Sequence, residues 1–233
     1  MEMFSLKMRL SQKLPVFIVG LSVLIVGVVG AIGYFKASVE LEQSVKGQLS
    51  AVLDMRRNAL SEYLESIRQD LSFVATNPNT LTALAAFKAG WKGLGSNQTE
   101  QLQELYIKKN SFPTGEKEKL DFANDGSAYS AAHGEFHPWF RQFLNPSEYY
   151  DVFLFDPEGN LVYTVFKELD YATNVNNGKW KDTDLGNVFR DAMANSKQGA
   201  QVFYDFKPYE PSFGAPASFI ATRLTGADGK PAG

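Results

Sequence analysis

Apolar and polar positions along this chain fall into three spacings, and each predicts a different element. Leu14 to Phe35 reads LPVFIVGLSVLIVGVVGAIGYF, 22 residues without a charge, set between Lys13 and Lys36. At about 1.5 Å rise per residue, roughly 20 apolar residues cross a bilayer core of about 30 Å. The run is too long for a signal-peptide core, and Tyr34-Phe35-Lys36 stands where a small-residue cleavage site would be. It reads as an uncleaved spanning helix. Past Lys36 the spacing becomes helical. Leu60, Leu64, Ile67, Leu71 and Val74 step by four, three, four and three, one apolar stripe, and Val45, Leu49 and Val52 extend it upstream. No proline lies between Pro15 and Pro78. One helix is therefore predicted to run unbroken to about Ala75, a rod on the order of 90 Å.

Pro78 ends that helix, and Asn79 or Thr80 is the predicted cap of the next, over 80–90, which breaks at Gly93-Leu94-Gly95. Asn97 to Lys109 is predicted helical, with Leu102, Leu105 and Tyr106 on one face. Residues 110–127 are loop-like. Ala128 to Leu144 reads as a helix interrupted at Gly134 and Pro138. From Tyr149 the period is two. Asp151–Phe155 and Leu161–Lys167 are strands joined by the turn Asp156-Pro-Glu-Gly-Asn160, a predicted hairpin. Asp182-Thr183-Asp184 caps a helix through Ala194. Gln201–Phe206 and Ala217–Leu224 are two more strands, with Pro208–Pro216 between them too proline-rich for a ladder. Leu224–Gly233 reads as a hairpin turn with no return strand, so the expectation is a fragment whose sheet stops one strand short. The predicted class is α+β: a segment 1–13, a transmembrane helix 14–35, a stalk helix 36–76, a helical subregion 77–145, and an antiparallel sheet over 146–233, incomplete at its C-terminus.

Charge sets the orientation. Lys7, Arg9 and Lys13 precede the span against Glu2 alone, which places residues 1–13 in the cytoplasm by the positive-inside rule. Residues 37–233 are then extracytoplasmic, at the inner membrane and in the periplasm of a Gram-negative cell. A net charge of −3 with no basic block gives no reason to expect nucleic acid. The absence of cysteine excludes disulfides, thiolate metal sites and cysteine nucleophiles. Nine aromatics fall in residues 1–110 and 22 in 111–233, a shift that marks the passage from helical to sheet-bearing sequence. Gly27 and Ala31 form one small-xxx-small pair suited to close packing of a second helix. No Gly-x-Ser-x-Gly, phosphate loop or spaced carboxylate pair appears, so no enzyme is expected.

Three segments carry a resemblance: HPWFRQFLNPSEYYDVFLFDPEGNLVYTVFKELDYATN from His137 to Asn174, WKDTDLGNVFRDA from Trp180 to Ala192, and FKPYEPSFGAPASFIAT from Phe206 to Thr222. In this order they resemble the extracytoplasmic sensor region of bacterial methyl-accepting chemotaxis proteins. The resemblance covers residues 128–233 by sequence and 1–75 by architecture, and leaves 77–127 unmatched. It implies a Cache domain, a PAS-like antiparallel sheet behind a long N-terminal helix, and a homodimer that signals ligand binding across the membrane. Similar sensors precede histidine kinases and nucleotide cyclases, which is the alternative reading. The second span, HAMP linker and methylated coiled coil of such receptors have no counterpart in these residues.

The resemblance further implies a pocket between the sheet's face and the loops over it. Tyr163 and Lys167 share one strand face, being four apart. The lysine suits a carboxylate and the tyrosine a stacking, hydrogen-bonding wall; equally, the pair suits a surface lysine and a core tyrosine. Asp170, Tyr171 and Trp180 belong to the covering loops, where an acid among aromatics suits an ammonium group, as in an amino acid. Tyr204, Asp205 and Tyr209 surround the end of the third strand. Each of these also fits ordinary packing or solvation. His133 and His137 are four apart, a spacing that faces both imidazoles the same way and suits zinc. No third ligand accompanies them, so capping or packing is the expected role and no metal or cofactor is expected.

Overall fold

A computed structural model describes residues 10–147 and 149–233. Lys7, Arg9 and Glu2, on which the predicted orientation rests, lie outside the described residues. The chain forms two compact units, Met1–Leu64 and Glu65–Gly233, whose boundary falls within the first helix, α1 (Leu10–Thr76). The predicted unbroken helix to about Ala75 is therefore present. In the first unit it carries the apolar run, none of which is buried inside protein. Among the described residues this is the one helix long and apolar enough to cross a membrane.

The second unit is mixed helix and sheet. Here α1 turns its stripe inward: Val74 is buried, and Ile67 and Leu71 are half-buried. The helix α2 (Pro78–Gly93) follows at once. Its cap is Asn77, one residue before the proline rather than after it. The Asn77 side chain accepts from the Asn79 N–H at 2.9 Å, and Pro78 occupies the first turn, where its missing N–H costs nothing. A short helix α3 (Gln98–Gln103) widens into a π-turn, Glu104–Lys108, with Leu102 and Tyr106 buried as the spacing predicts. Residues 110–127 are irregular save for a 3₁₀ turn at Lys117–Lys119.

The helix α4 (Ala128–Ser147) is not interrupted at Gly134 and Pro138. Pro138 stands four residues after Gly134, so the carbonyl its ring crowds belongs to a residue without a side chain. Burial offsets the lost hydrogen bond: Tyr129, His133, His137 and Phe140 are all fully enclosed on one face. The helices α2 and α4 meet where Gly90 faces the Tyr129 backbone. Phe87 fills the space beside them, stacked on Tyr163 at 4.6 Å between ring centroids.

The sheet portion is two antiparallel hairpins. β1 (Phe153–Phe155) pairs with β2 (Leu161–Thr164), with a bulge between Leu154 and Phe155. Between them Asp156 accepts from the Asn160 backbone N–H at 2.8 Å and Gly159 takes φ +89. Helix α5 (Asp184–Ala194) starts at Thr183, whose hydroxyl accepts from the Gly186 N–H. β3 (Gln201–Tyr209) pairs with β4 (Ala215–Thr222). This ladder enters the proline-rich stretch that the sequence excluded. Pro208 and Pro216 stand opposite each other, a position in an antiparallel pair whose N–H groups point away from the partner, so neither ring removes a ladder bond. The hairpin closes through a 3₁₀ turn, Glu210–Ser212, with Phe213 and Gly214 both at positive φ. The turn after Leu224 also differs from expectation, because its residues do return. Thr225 bridges Pro231, and Leu224 exchanges backbone bonds of 2.8 Å with Gly233 and Ala232. Gly233 lies against the Phe155 carbonyl with no room for a Cβ. Both hairpins feed one aromatic cluster, in which Phe153 of β1 and Phe219 of β4 are 6.4 Å apart and Phe155 packs on Phe189 of α5.

The α2–α4 crossing provides a test. Alanine is favoured over glycine inside a helix by about 1 kcal/mol, yet a Cβ on Gly90 would sit 2.6 Å from the Tyr129 Cα, which is backbone and cannot rotate away. Overpacking of this kind costs about 1–3 kcal/mol or more, so the clash outweighs propensity. Gly90→Ala is expected to lower the unfolding midpoint in urea. Gly93→Ala, which meets nothing within 4 Å, is expected to leave it unchanged or higher.

Candidate functional site

The Asp151 carboxylate sets the end of β2. One of its oxygens accepts backbone N–H bonds from Val152, Val165 and Phe166 at 2.6, 2.9 and 3.2 Å, and the other accepts from the Thr164 hydroxyl. The N–H groups of Val165 and Phe166 are thereby withdrawn from any ladder, and the strand stops at Thr164, three residues earlier than the sequence predicts. The chain bends inward and carries Lys167 into the interior, where it is 2 % exposed. A surface lysine is thus ruled out. Lys167 Nζ donates to the Val165 carbonyl at 2.8 Å, lies 5.5 Å from the Tyr163 ring centroid and 3.4 Å from His137 Nδ1. Burial pulls its pKa down to about 7, partly opposed by the Asp151 charge.

His133 and His137 meet Lys167 from α4. Their rings lie 4.3 Å apart, as the spacing of four predicts. Each gives one nitrogen to a carbonyl of the loop 110–127: His133 Nδ1 to Asp121, and His137 Nε2 to Glu118 at 2.6 Å. A carbonyl only accepts, so those nitrogens carry the protons. His137 Nδ1 is then the acceptor for the Tyr163 hydroxyl at 2.7 Å. His133 Nε2 is buried with no hydrogen-bond partner. Burial, reinforced by the Lys167 charge, holds His137 down at about 2 and His133 well below the ordinary imidazole range. Arg141, one turn further along α4, donates to the Glu118 carbonyl at 2.7 Å and pairs with the Asp121 carboxylate at 2.8 Å.

The remaining predicted residues divide. Asp170 accepts from the Tyr209 hydroxyl at 2.6 Å, both being buried, while its other oxygen is enclosed without a partner. Burial pushes the Asp170 carboxyl up to about 6. Tyr171 meets the Tyr129 hydroxyl at 2.8 Å, and Tyr129 donates to the Val162 carbonyl at 2.7 Å. Trp180 donates from its indole to the Leu169 carbonyl at 3.2 Å, with Lys179 over its ring. Tyr204 and Asp205 stand apart from these groups. Tyr204 binds Asp191 of α5 at 2.7 Å, and Asp205 is exposed and accepts from the Phe206 N–H. The structure therefore joins Tyr163 to Lys167, and Asp170 to Tyr209, and separates both from Tyr204 and Asp205.

Sequence reasoning placed the histidines apart from Lys167 and left Arg141, Tyr129 and Asp151 out of the site. A signal was available for four of these: Tyr129, His133, His137 and Arg141 repeat every four residues and so line one face of a helix. Comparison with models of known protein families, with curated proteins and with solved structures finds no match.

The buried lysine has a signature in solution. With a folded pKa below the unfolded value of about 10.4, Lys167 binds fewer protons in the native state across that interval. Its cost is fully present below about pH 7 and is relieved as the pH rises toward 10. Stability measured by urea unfolding is expected to rise between pH 7 and pH 9.5. Lys167→Met is expected to flatten that rise; an unchanged slope would mean that the amine is solvated.

Proposed function

We propose that this chain is the membrane-anchored sensing region of a bacterial receptor of the methyl-accepting chemotaxis type, with a Cache-like domain that recognises a small carboxylate or an amino acid. The observation that carries the reading is the ionisable cluster around Lys167. A lysine, two imidazoles and an arginine converge beneath an irregular loop, in a domain otherwise closed by aromatic packing. Structural need alone does not account for a lysine in an apolar interior, since burying a charge destabilises a fold. A site that binds an anion does account for it. Asp170 with Tyr209 supplies a complementary acidic partner for an ammonium group. The two hairpins sharing one aromatic cluster are compatible with halves of a single PAS-like sheet. In this reading residues 1–13 are cytoplasmic, the apolar part of α1 crosses the inner membrane, residues 37–233 are extracytoplasmic, and two copies work as a homodimer. Ligand binding biases a two-state arrangement of paired helices. The same region in front of a histidine kinase or a nucleotide cyclase is the alternative, supported by the same cluster.

The full chain in lipid nanodiscs is the material for the test. Thermal unfolding is expected to shift upward with millimolar acetate, lactate, succinate or an amino acid, because a ligand of the native state stabilises by RT ln(1 + [L]/Kd). Lys167→Met is expected to weaken that ligand roughly tenfold or more, the worth of a charge-assisted hydrogen bond. No shift with any of the panel would remove the ligand-sensing reading. A reporter fused after Gly233 is expected to be active only outside the cytoplasm.

A further inference from the structure

Loop 110–127 lies against the two histidines beside Lys167 and is tied to α4. Glu118 and Asp121 offer their backbone carbonyls to His137 and His133, and Arg141 holds both residues from one turn away. Leu120 and Ala123 also pack against the main core. Ala123 N–H donates to the Tyr106 hydroxyl at 3.3 Å, and the Asn110 side chain donates to the Tyr106 and Lys117 carbonyls. Phe122 on the loop is largely exposed and lies over Gly134 of α4.

This arrangement suits neutral imidazoles alone. A proton added to His133 would sit on Nε2, which is buried and faces no acceptor. A proton added to His137 would sit on Nδ1, which now accepts from Tyr163 and lies 3.4 Å from the Lys167 amine. The charged groups around the pair come from every neighbouring element. Lys167 follows β2, Arg141 belongs to α4, Glu118 and Asp121 belong to the loop, and Asp151 precedes β1. Tyr106 of the π-turn and Tyr163 of β2 complete the polar wall. At the imidazoles the cations dominate: Lys167 and then Arg141 act on both, and His137 acts on His133. The Asp121 carboxylate is already committed to Arg141. The bonds to the loop carbonyls would survive protonation, yet neither imidazole is hydrogen-bonded to a carboxylate, and the buried oxygens of Glu118 and Asp121 belong to the loop itself. Water can solvate the added charge, and water reaches it when the loop lifts.

We propose that Asn110–Ser127 is an acid-released cover, held shut over Lys167 while His133 and His137 are neutral and opened when they take up protons. Because it concerns the cover itself, it stands whether or not the ligand-sensing reading does.

The chain contains two histidines, so every histidine ring signal belongs to this pair. Hydrogen exchange on the full chain in nanodiscs, corrected for intrinsic rates, is expected to show at least tenfold more opening at Phe112–Ala123 at pH 5 than at pH 7.5. Protection in α2 and in β1–β2 is expected to be unchanged. Because burial holds both imidazoles far below their ordinary range in the closed form, ring 15N signals are expected to show proton uptake only in the fraction that opens. His133→Asn with His137→Gln keeps donors toward both carbonyls and cannot titrate, and is expected to keep the cover closed at both pH values. If that double variant fails to fold, the single variants His133→Asn and His137→Gln decide, each expected to reduce the acid-dependent opening. Imidazoles that stay neutral to pH 4.5 under a closed cover would overturn the proposal. So would acid opening that persists in the double variant, or loss of protection everywhere at once.

Discussion

Asp151 controls how the sheet ends and what lies beneath it. Its carboxylate gathers three backbone N–H groups and the Thr164 hydroxyl, a set of partners that a strand would otherwise seek from a neighbouring strand. Satisfying Val165 and Phe166 this way terminates β2 without leaving buried donors unpaired, whose desolvation would cost about 1–3 kcal/mol each. The consequence is a chain that turns into the protein rather than along its surface, so that Lys167 enters the interior next to Tyr163 and His137. One side chain thus fixes the length of a strand, the burial of a lysine and the neighbours of two histidines.

The interior that receives these groups is aromatic. Phe87, Tyr106, Tyr129, Phe140, Tyr163 and Tyr171 are fully buried, and the tyrosine hydroxyls are hydrogen-bonded to one another, to backbone, to Ser130 or to His137 rather than left bare. Aromatic rings with polar tips bury large areas yet tolerate imidazoles and an amine at their edges. An aliphatic core would give Lys167 and His133 nothing to face. The close α2–α4 approach at Gly90 brings Phe87 onto Tyr163 and so shapes the wall against which the histidines stack.

Much of this order was legible in the sequence where it rests on period. The long helix, the helix faces carrying Leu102 and Tyr106, the Asp156–Asn160 turn and the Thr183 cap follow from local spacing and turn chemistry. What escaped depends on partners distant in the chain. Pro138 looked like a break because the partners that the helix face packs against, Phe87 and Tyr163, are distant from it in sequence. The Pro208–Pro216 pairing is invisible until the register is known, because only the register says which N–H groups face outward. Alternation put Lys167 on the face of Tyr163 but left a pocket lysine and a surface lysine both open, and its burial depends on a carboxylate sixteen residues upstream. The pairing of Asp170 with Tyr209 joins a loop to the end of β3 across 39 residues.

A fold that needed only to be stable would gain little from this cluster. Replacing a buried charged group by an apolar residue of similar volume is often neutral or stabilising, and the His133 Nε2 and the free oxygen of Asp170 each forgo a hydrogen bond. Several of the buried ionisable groups lie together. His133 stacks on His137, which adjoins Lys167, and the charge of Asp170 is felt at Asp151, which in turn acts on Lys167. Concentrating such groups makes the state of each depend on the others, so that a proton or an ion gained at one is registered by its neighbours. Placing them under residues 110–127 adds a second property. That segment has almost no regular hydrogen bonding of its own, and the helix carrying the histidines also carries the arginine that holds it. A change in charge within the cluster therefore acts on a segment with little internal resistance, while the aromatic frame around it stays packed.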